Sequence, residues 1–282
     1  PPFLYGASNY GSFLGNLDAF TAYAVAKEGN IQRAIQALLN ETSRVKQFGF
    51  TPTELARAKT ELLRGAEQAY LERNKTASSN YVGQYVGHFT DQEPMVSIDY
   101  YYDFVKQNLG SIALPEINGL VNRFIRTEKL PGIEQVIGYI DAAGKDLTAY
   151  DDNVLDKPLL ATPPTPGPVV GETKIERIGV TELRLKNGVR VILKPTNFKN
   201  DQILFTGNSL GGTSRYELAD FQTARFASTL VNLGGTGEYS QVQLGKFLAG
   251  KALYVTPFVS ELGEGISGGT APKDLETALQ LL

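Results

Sequence analysis

Imidazole is the usual general base and the commonest protein metal ligand, and this chain supplies it once, at His88. A two-histidine zinc site therefore cannot form within one copy. His88 stands in Tyr85-Val86-Gly87-His88-Phe89, where apolar neighbours recur at helical spacing, the setting of a structural or surface histidine. The chain has no cysteine, which removes disulfides, thiolate nucleophiles and cysteine-held zinc but is compatible with a reducing or an oxidising compartment. The acidic groups from Asp99 to Asp103 and at Asp151, Asp152 and Asp156 could bind calcium or act as an acid/base pair. Their spacing is not that of an EF-hand, and they read as solvated loops or helix ends. Gly234-Gly235-Thr236-Gly237 and Gly268-Gly269-Thr270 resemble phosphate loops. Neither is followed by the Gly-Lys-Ser/Thr that would reach phosphates, so their glycines are expected in tight turns at positive φ.

The elements that would position these residues follow from periodicity. With 282 residues, 42% of them hydrophobic and 20% charged, the composition is that of a globular chain of two domains. The net charge of -3, with Lys and Arg scattered, offers no basic track for nucleic acid, which is not expected as a partner. No apolar run is long enough to span a bilayer. The segment from Pro2 to Val25 reads as strands, and a helix should follow from about Asn30 and stop at Gly49. Thr51-Pro52-Thr53-Glu54 carries the hydroxyl, proline and glutamate of a capped helix start. The long helix it opens has an apolar face of Leu55, Ala58, Leu62, Ala66 and Ala69, with Arg57, Lys59, Glu61 and Arg64 expected on a solvated face. Further helices carry Tyr81 to Phe89, Ile98 to Leu109 and, after Pro115, Ile117 to Ile125.

From Asp151 to Gly171 the periodicity gives way to prolines, including Pro163-Pro164-Thr165-Pro166-Gly167-Pro168, as expected of a stiff, extended linker. Beyond it, Glu182 to Leu185 and Val189 to Leu193 flank Asn187-Gly188, the strongest short hairpin signal. A strand from Gln202 to Thr206, helices around Ala224 to Ala227 and Val242 to Leu248, a strand from Leu253 to Val259 and a helix from Pro272 complete an α+β pattern.

These residues carry a resemblance. Leu185-Lys186-Asn187-Gly188-Val189-Arg190-Val191-Ile192-Leu193, then Gly211-Gly212-Thr213-Ser214, a helix, and Gly235-Thr236-Gly237-Glu238-Tyr239-Ser240 resemble the opening of a domain of pitrilysin-type (insulinase family) zinc peptidases. In active halves of that family the helix holds the inverted zinc motif H-x-x-E-H. Here Arg225, Ser228 and Thr229 stand at its three positions, or Phe226, Thr229 and Leu230 if the register is counted from Gly235-Thr236; neither set offers a ligand. Upstream, Gly49-Phe50-Thr51-Pro52-Thr53-Glu54-Leu55-Ala56-Arg57-Ala58-Lys59 resembles the phrase that opens a long helix in the second domain of the active half.

The resemblance implies two partial domains like those of the mitochondrial processing peptidase, each a mixed or antiparallel sheet covered by helices, joined by the proline-rich linker. Residues 1–128 would close the second domain of the active half, 129–174 would be the linker, and 175–282 would begin an inactive half. A short strand that the family has after Glu128 is not seen in the sequence, which goes directly to Lys129-Leu130-Pro131-Gly132, so that either the strand is missing or residues between Glu128 and Lys129 are, and the start at Pro1-Pro2-Phe3 reads as a fragment boundary. The parent would be a zinc metalloendopeptidase that encloses a peptide or unfolded polypeptide between two halves. Zinc would sit in the missing zinc-binding domain, and this piece, holding none and inactive alone, would be chamber wall and hinge. The alternative is a catalytically dead peptide-binding or scaffold subunit of the same fold. The bacterial periplasm or cell envelope is the first expectation for location, and the cytoplasm the second.

Overall fold

The computed structural model describes residues 2–14, 17–125, 138 and 144–282; the expected departure at Glu128 and Lys129 lies outside the described residues. Contacts group the chain into two compact units that do not follow its order, residues 1–59 with 108–153 and residues 60–107 with 154–282.

In the first unit, β1 (Phe3–Leu14) and β2 (Leu17–Ala26) pair antiparallel, and α1 (Ile31–Phe48) packs on β2. Gly49 ends α1 as expected, at φ 71°, with its N–H on the Val45 carbonyl at 2.8 Å. α2 (Pro52–Leu71) then opens on the expected capping box, in which the Glu54 N–H donates to the Thr51 hydroxyl at 3.3 Å and the Glu54 carboxylate accepts the Thr51 N–H at 2.7 Å. Its residues to Lys59 belong to the first unit and the rest to the second. Lys59 is drawn onto the carbonyls of Gly110 at 3.3 Å and Ile112 at 2.6 Å.

The expected apolar face of α2 is fully buried only at Ala66. Ala58, Leu62 and Ala69 are exposed, whereas Arg64 and Ala66 are buried. The arginine turns inward because distant partners neutralise it, as described below. α3 (Ser79–Asp91) and α4 (Ile98–Asn108) follow, with Tyr102 of α4 stacked on Tyr70 of α2 at 4.8 Å. α5 (Leu114–Phe124), back in the first unit, buries Val121 and sets Phe124 against Tyr10 of β1 at 4.3 Å.

The second unit holds two antiparallel sheets. β3 (Val169–Ile175), β4 (Val180–Leu185) and β5 (Arg190–Leu193) lie in chain order, and β3 begins inside the stretch read as linker, so the extended run ends at Pro168. The Asn187-Gly188 turn joins β4 to β5 as expected, with Gly188 at φ 90° and the Asn187 side chain accepting the Val189 N–H at 3.1 Å. The other sheet has the order β6 (Ile203–Leu210), β8 (Gly263–Thr270), β7 (Leu253–Val259). α6 (Leu218–Gly234) packs on β7, α7 (Gln241–Leu248) follows it, and the short α8 (Leu275–Gln280) contacts β7 and β8. The chain is thus α+β, with antiparallel pairing throughout the described strands.

β8 corrects the expectation that Gly268-Gly269-Thr270 forms a turn. These residues run through the middle strand of the sheet, and none of their φ angles is positive. Glycine is needed there for close approach instead. A Cβ at Gly268 would run into the Phe205 ring and stand 2.8 Å from the Tyr254 carbonyl oxygen, which places the two flanking strands against bare backbone.

Candidate functional site

The Gly211-Gly212-Thr213-Ser214 phrase leaves β6 and is held against the turn between β7 and β8. The Thr213 N–H donates to the Ser260 carbonyl and the Ser214 N–H to the Glu261 carbonyl, each at 2.9 Å. This delivers the chain to the start of α6, where an open groove of about 470 Å³ is lined by Thr213, Ser214, Tyr216, Leu218, Phe221 and Glu261. One carboxylate and three hydroxyls in an open groove do not make the paired acid and base that hydrolysis needs.

Arg225, Ser228 and Thr229 follow on α6 at spacings of three and four, so they share one helix face. Arg225 and Thr229 are exposed and Ser228 is half-buried, while Phe226 and Leu230 of the alternative register are exposed. Zinc sites are built from thiolate, imidazole and carboxylate. A guanidinium keeps its protons and has no lone pair to give, and neutral hydroxyls stand outside that set. The side chains at these positions therefore do not fit zinc. Among the described residues no group of three or more His, Cys, Asp or Glu is gathered to hold a metal ion. His88 is exposed on α3, where its Nδ1 meets the Glu93 carbonyl at 2.7 Å.

The groups that the structure does gather were not legible as a set. Arg64, 7% exposed, donates to Asp201 at 2.6 Å and to Glu67 at 2.8 Å, and Glu67 accepts Lys273 at 2.7 Å. One turn on, Glu72 accepts the N–H groups of Asn200 at 2.8 Å and Asp201 at 2.6 Å, with the Lys199 ammonium at 3.7 Å. Burial works against the Arg64 charge, but its hydrogen bonds to Asp201 and Glu67 prevail and raise its pKa. Lys273 first, and Arg64 after it, hold the Glu67 carboxyl below the usual range. This cluster fastens α2 to the loop before β6 and to the segment before α8. Each charge in it is paired with one of opposite sign.

No protein-family model matches the chain. It is 27% identical over 255 residues, 85% of its length, to a zinc protease PQQL-like protein of Arabidopsis thaliana. It is 22% identical over 265 residues, 88% of its length, to a probable zinc protease PqqL of Haemophilus influenzae. The chain spans only 24% and 28% of those two proteins. Of solved structures, the ferredoxin protease FusC, in complex with Arabidopsis ferredoxin, matches 99% of this chain and 33% of its own at 17% identity and a TM-score of 0.51. That likeness is one of fold.

Proposed function

From the premise that the chain is homologous to part of the PqqL-type zinc proteases, in the pitrilysin/insulinase-like family, we propose that it is a non-catalytic portion of a zinc metalloendopeptidase. In this reading residues 1–128 end the second domain of the active half, 129–174 connect, and 175–282 open the inactive half, together forming chamber wall and hinge. The observation that carries the reading is the helix α6, which follows the glycine-bearing strand in the family's order yet presents Arg225, Ser228 and Thr229 where ligands would stand. Zinc, supplied by another part of the parent, would activate the hydrolytic water; the residues here line and support.

The surface of α6 supports a walled-in position for it. Leu218 is 90% exposed, and Phe226, Leu230, Val231 and Leu233 are all more than half exposed. Exposed apolar side chains in this number on one helix suit a surface that another part of a whole protein covers. Protein or peptide substrates are part of the same proposal, in keeping with the FusC structure holding ferredoxin.

The test is metal and turnover measured on one purified sample. The chain should bind zinc far below one equivalent by calorimetry and leave a quenched-fluorescence peptide intact. The combined substitution Arg225→His, Ser228→Glu and Thr229→His should add at most weak zinc binding, because a hydrolytic site also needs a third protein ligand and the groups that orient it. Stoichiometric zinc with chelator-sensitive cleavage by the unaltered chain would refute the assignment.

A further inference from the structure

The phrase Gly235-Thr236-Gly237-Glu238-Tyr239-Ser240 is closed on itself. The Thr236 N–H donates to the Tyr239 carbonyl and the Tyr239 N–H to the Thr236 carbonyl, both at 2.9 Å. Gly235 enters it at φ 84°, and a Cβ there would run into the Tyr239 carbonyl oxygen, so the turn requires glycine. The Ser240 hydroxyl then caps α7, accepting the Gln243 N–H at 3.3 Å. A turn closed at both ends holds its side chains in fixed directions.

One of those directions is inward. Tyr239 is 3% exposed, with its ring tilted against Phe247 at 5.2 Å. A phenol buried this deeply needs partners for its hydroxyl, and all of them come from one segment about eighty residues earlier. The hydroxyl donates toward the Lys157 carbonyl, lies 3.3 Å from the Leu155 carbonyl and accepts the Lys157 N–H at 3.3 Å. Beside it the Glu238 carboxylate pairs with the Lys157 ammonium, and two residues on Leu159 is buried. From Ala161 to Pro168 every residue is exposed.

We propose that the Thr236–Tyr239 turn is an anchor for the strap Leu155–Leu159, Tyr239 holding its backbone and Glu238 its one cation. The stretch read as a stiff, extended linker is then tethered at Leu155–Leu159, and its continuously exposed part begins at Ala161. The Tyr239 hydroxyl acts on backbone groups, which any residue but proline could supply at 157, so for this part of the anchor the turn and not the strap carries the chemical requirement.

Endoproteinase Asp-N, which cuts before aspartate, reads the strap at the Leu155–Asp156 bond and has an internal control at Tyr150–Asp151. Amide hydrogen exchange at Lys157 reads the same anchor without a protease. Tyr239→Phe keeps the ring on Phe247 and removes the hydroxyl. It should speed both cleavage at Leu155–Asp156 and exchange at Lys157 about tenfold while leaving Tyr150–Asp151 unchanged. Glu238→Gln should change the same two rates by about twofold, as an exposed ion pair would. Equal rates in the unaltered chain and Tyr239→Phe overturn the proposal. So does a uniform rise at every aspartate, which would mean that the hydroxyl supports the whole unit and not the strap.

Discussion

Two of the helices break the polarity rule in opposite directions. α2 buries a guanidinium, and α6 exposes Leu218, Phe226, Leu230 and Val231. On α2 the anomaly is resolved within the chain, because Arg64 meets Asp201 and Glu67, and Glu67 in turn meets Lys273. On α6 these apolar side chains stay exposed although the helix packs on β7, and Ala224 is its one buried residue. The difference teaches where the molecule's specificity sits. α2 is fixed by directional, paired charges whose removal is costly, whereas α6 presents, beside its exposed polar residues, much non-directional apolar surface.

The sharpest way to break the comparison is to remove the partner that justifies the buried cation. Asp201→Ala leaves Arg64 buried with Glu67 as its remaining carboxylate, and stripping one member of a buried pair costs about 3 kcal/mol or more. The midpoint of urea denaturation, followed by circular dichroism, should fall accordingly. A change under about 0.5 kcal/mol, the size of an ordinary surface substitution, would mean that water already solvates the guanidinium. Next in size is Gly268→Val in β8. The added side chain has no room between Phe205 and Tyr254, and overpacking of this kind costs about 1–3 kcal/mol in the same titration.

These two positions also mark what the sequence concealed. The Asn187-Gly188 hairpin, the Thr51 capping box and the Gly49 stop were legible because each is settled by residues within four positions of one another. Arg64 was not, since its partner lies 137 residues away and nothing local separates a buried arginine from a solvated one. β8 was missed for a related reason. Glycines that signal a turn by composition serve here to admit Phe205 and Tyr254 from the strands on either side, and neither neighbour is near them in sequence. The candidate site was legible as a pattern of residue types on one helix, which is local, but the strap held by Tyr239 was not, because its hydrogen bonds cross more than eighty positions.

A smaller effect separates the outer and inner shells of the α2 cluster. Glu67 has a folded pKa below its unfolded value, chiefly through Lys273 and then Arg64. Its contribution to stability is therefore fully present above the unfolded carboxylate pKa and is lost as pH falls through the lower folded value. Stability measured from neutral pH downward should decline across that acidic window, and Lys273→Gln should make the decline shallower. Because both partners are substantially exposed, the variant should cost only about 0.5 kcal/mol at neutral pH, less in high salt. A salt-independent loss of several kcal/mol would place Lys273 in the buried core of the cluster with Arg64.

The smallest change in stability is expected on α6, and its smallness is the point. Leu230 is 63% exposed, so Leu230→Gln removes little apolar area from the folded chain's interior and should shift its stability by no more than about 0.5 kcal/mol. What it does remove is exposed apolar surface, with Phe226 one turn before it on the same face, of the kind that draws molecules together in water. The variant should therefore unfold at nearly the same urea concentration as the unaltered chain while sedimenting with less self-association. If Leu230→Gln instead costs as much as Asp201→Ala, then α6 is packed as tightly as α2, and the contrast between a helix held by paired charges and a helix awaiting its cover fails.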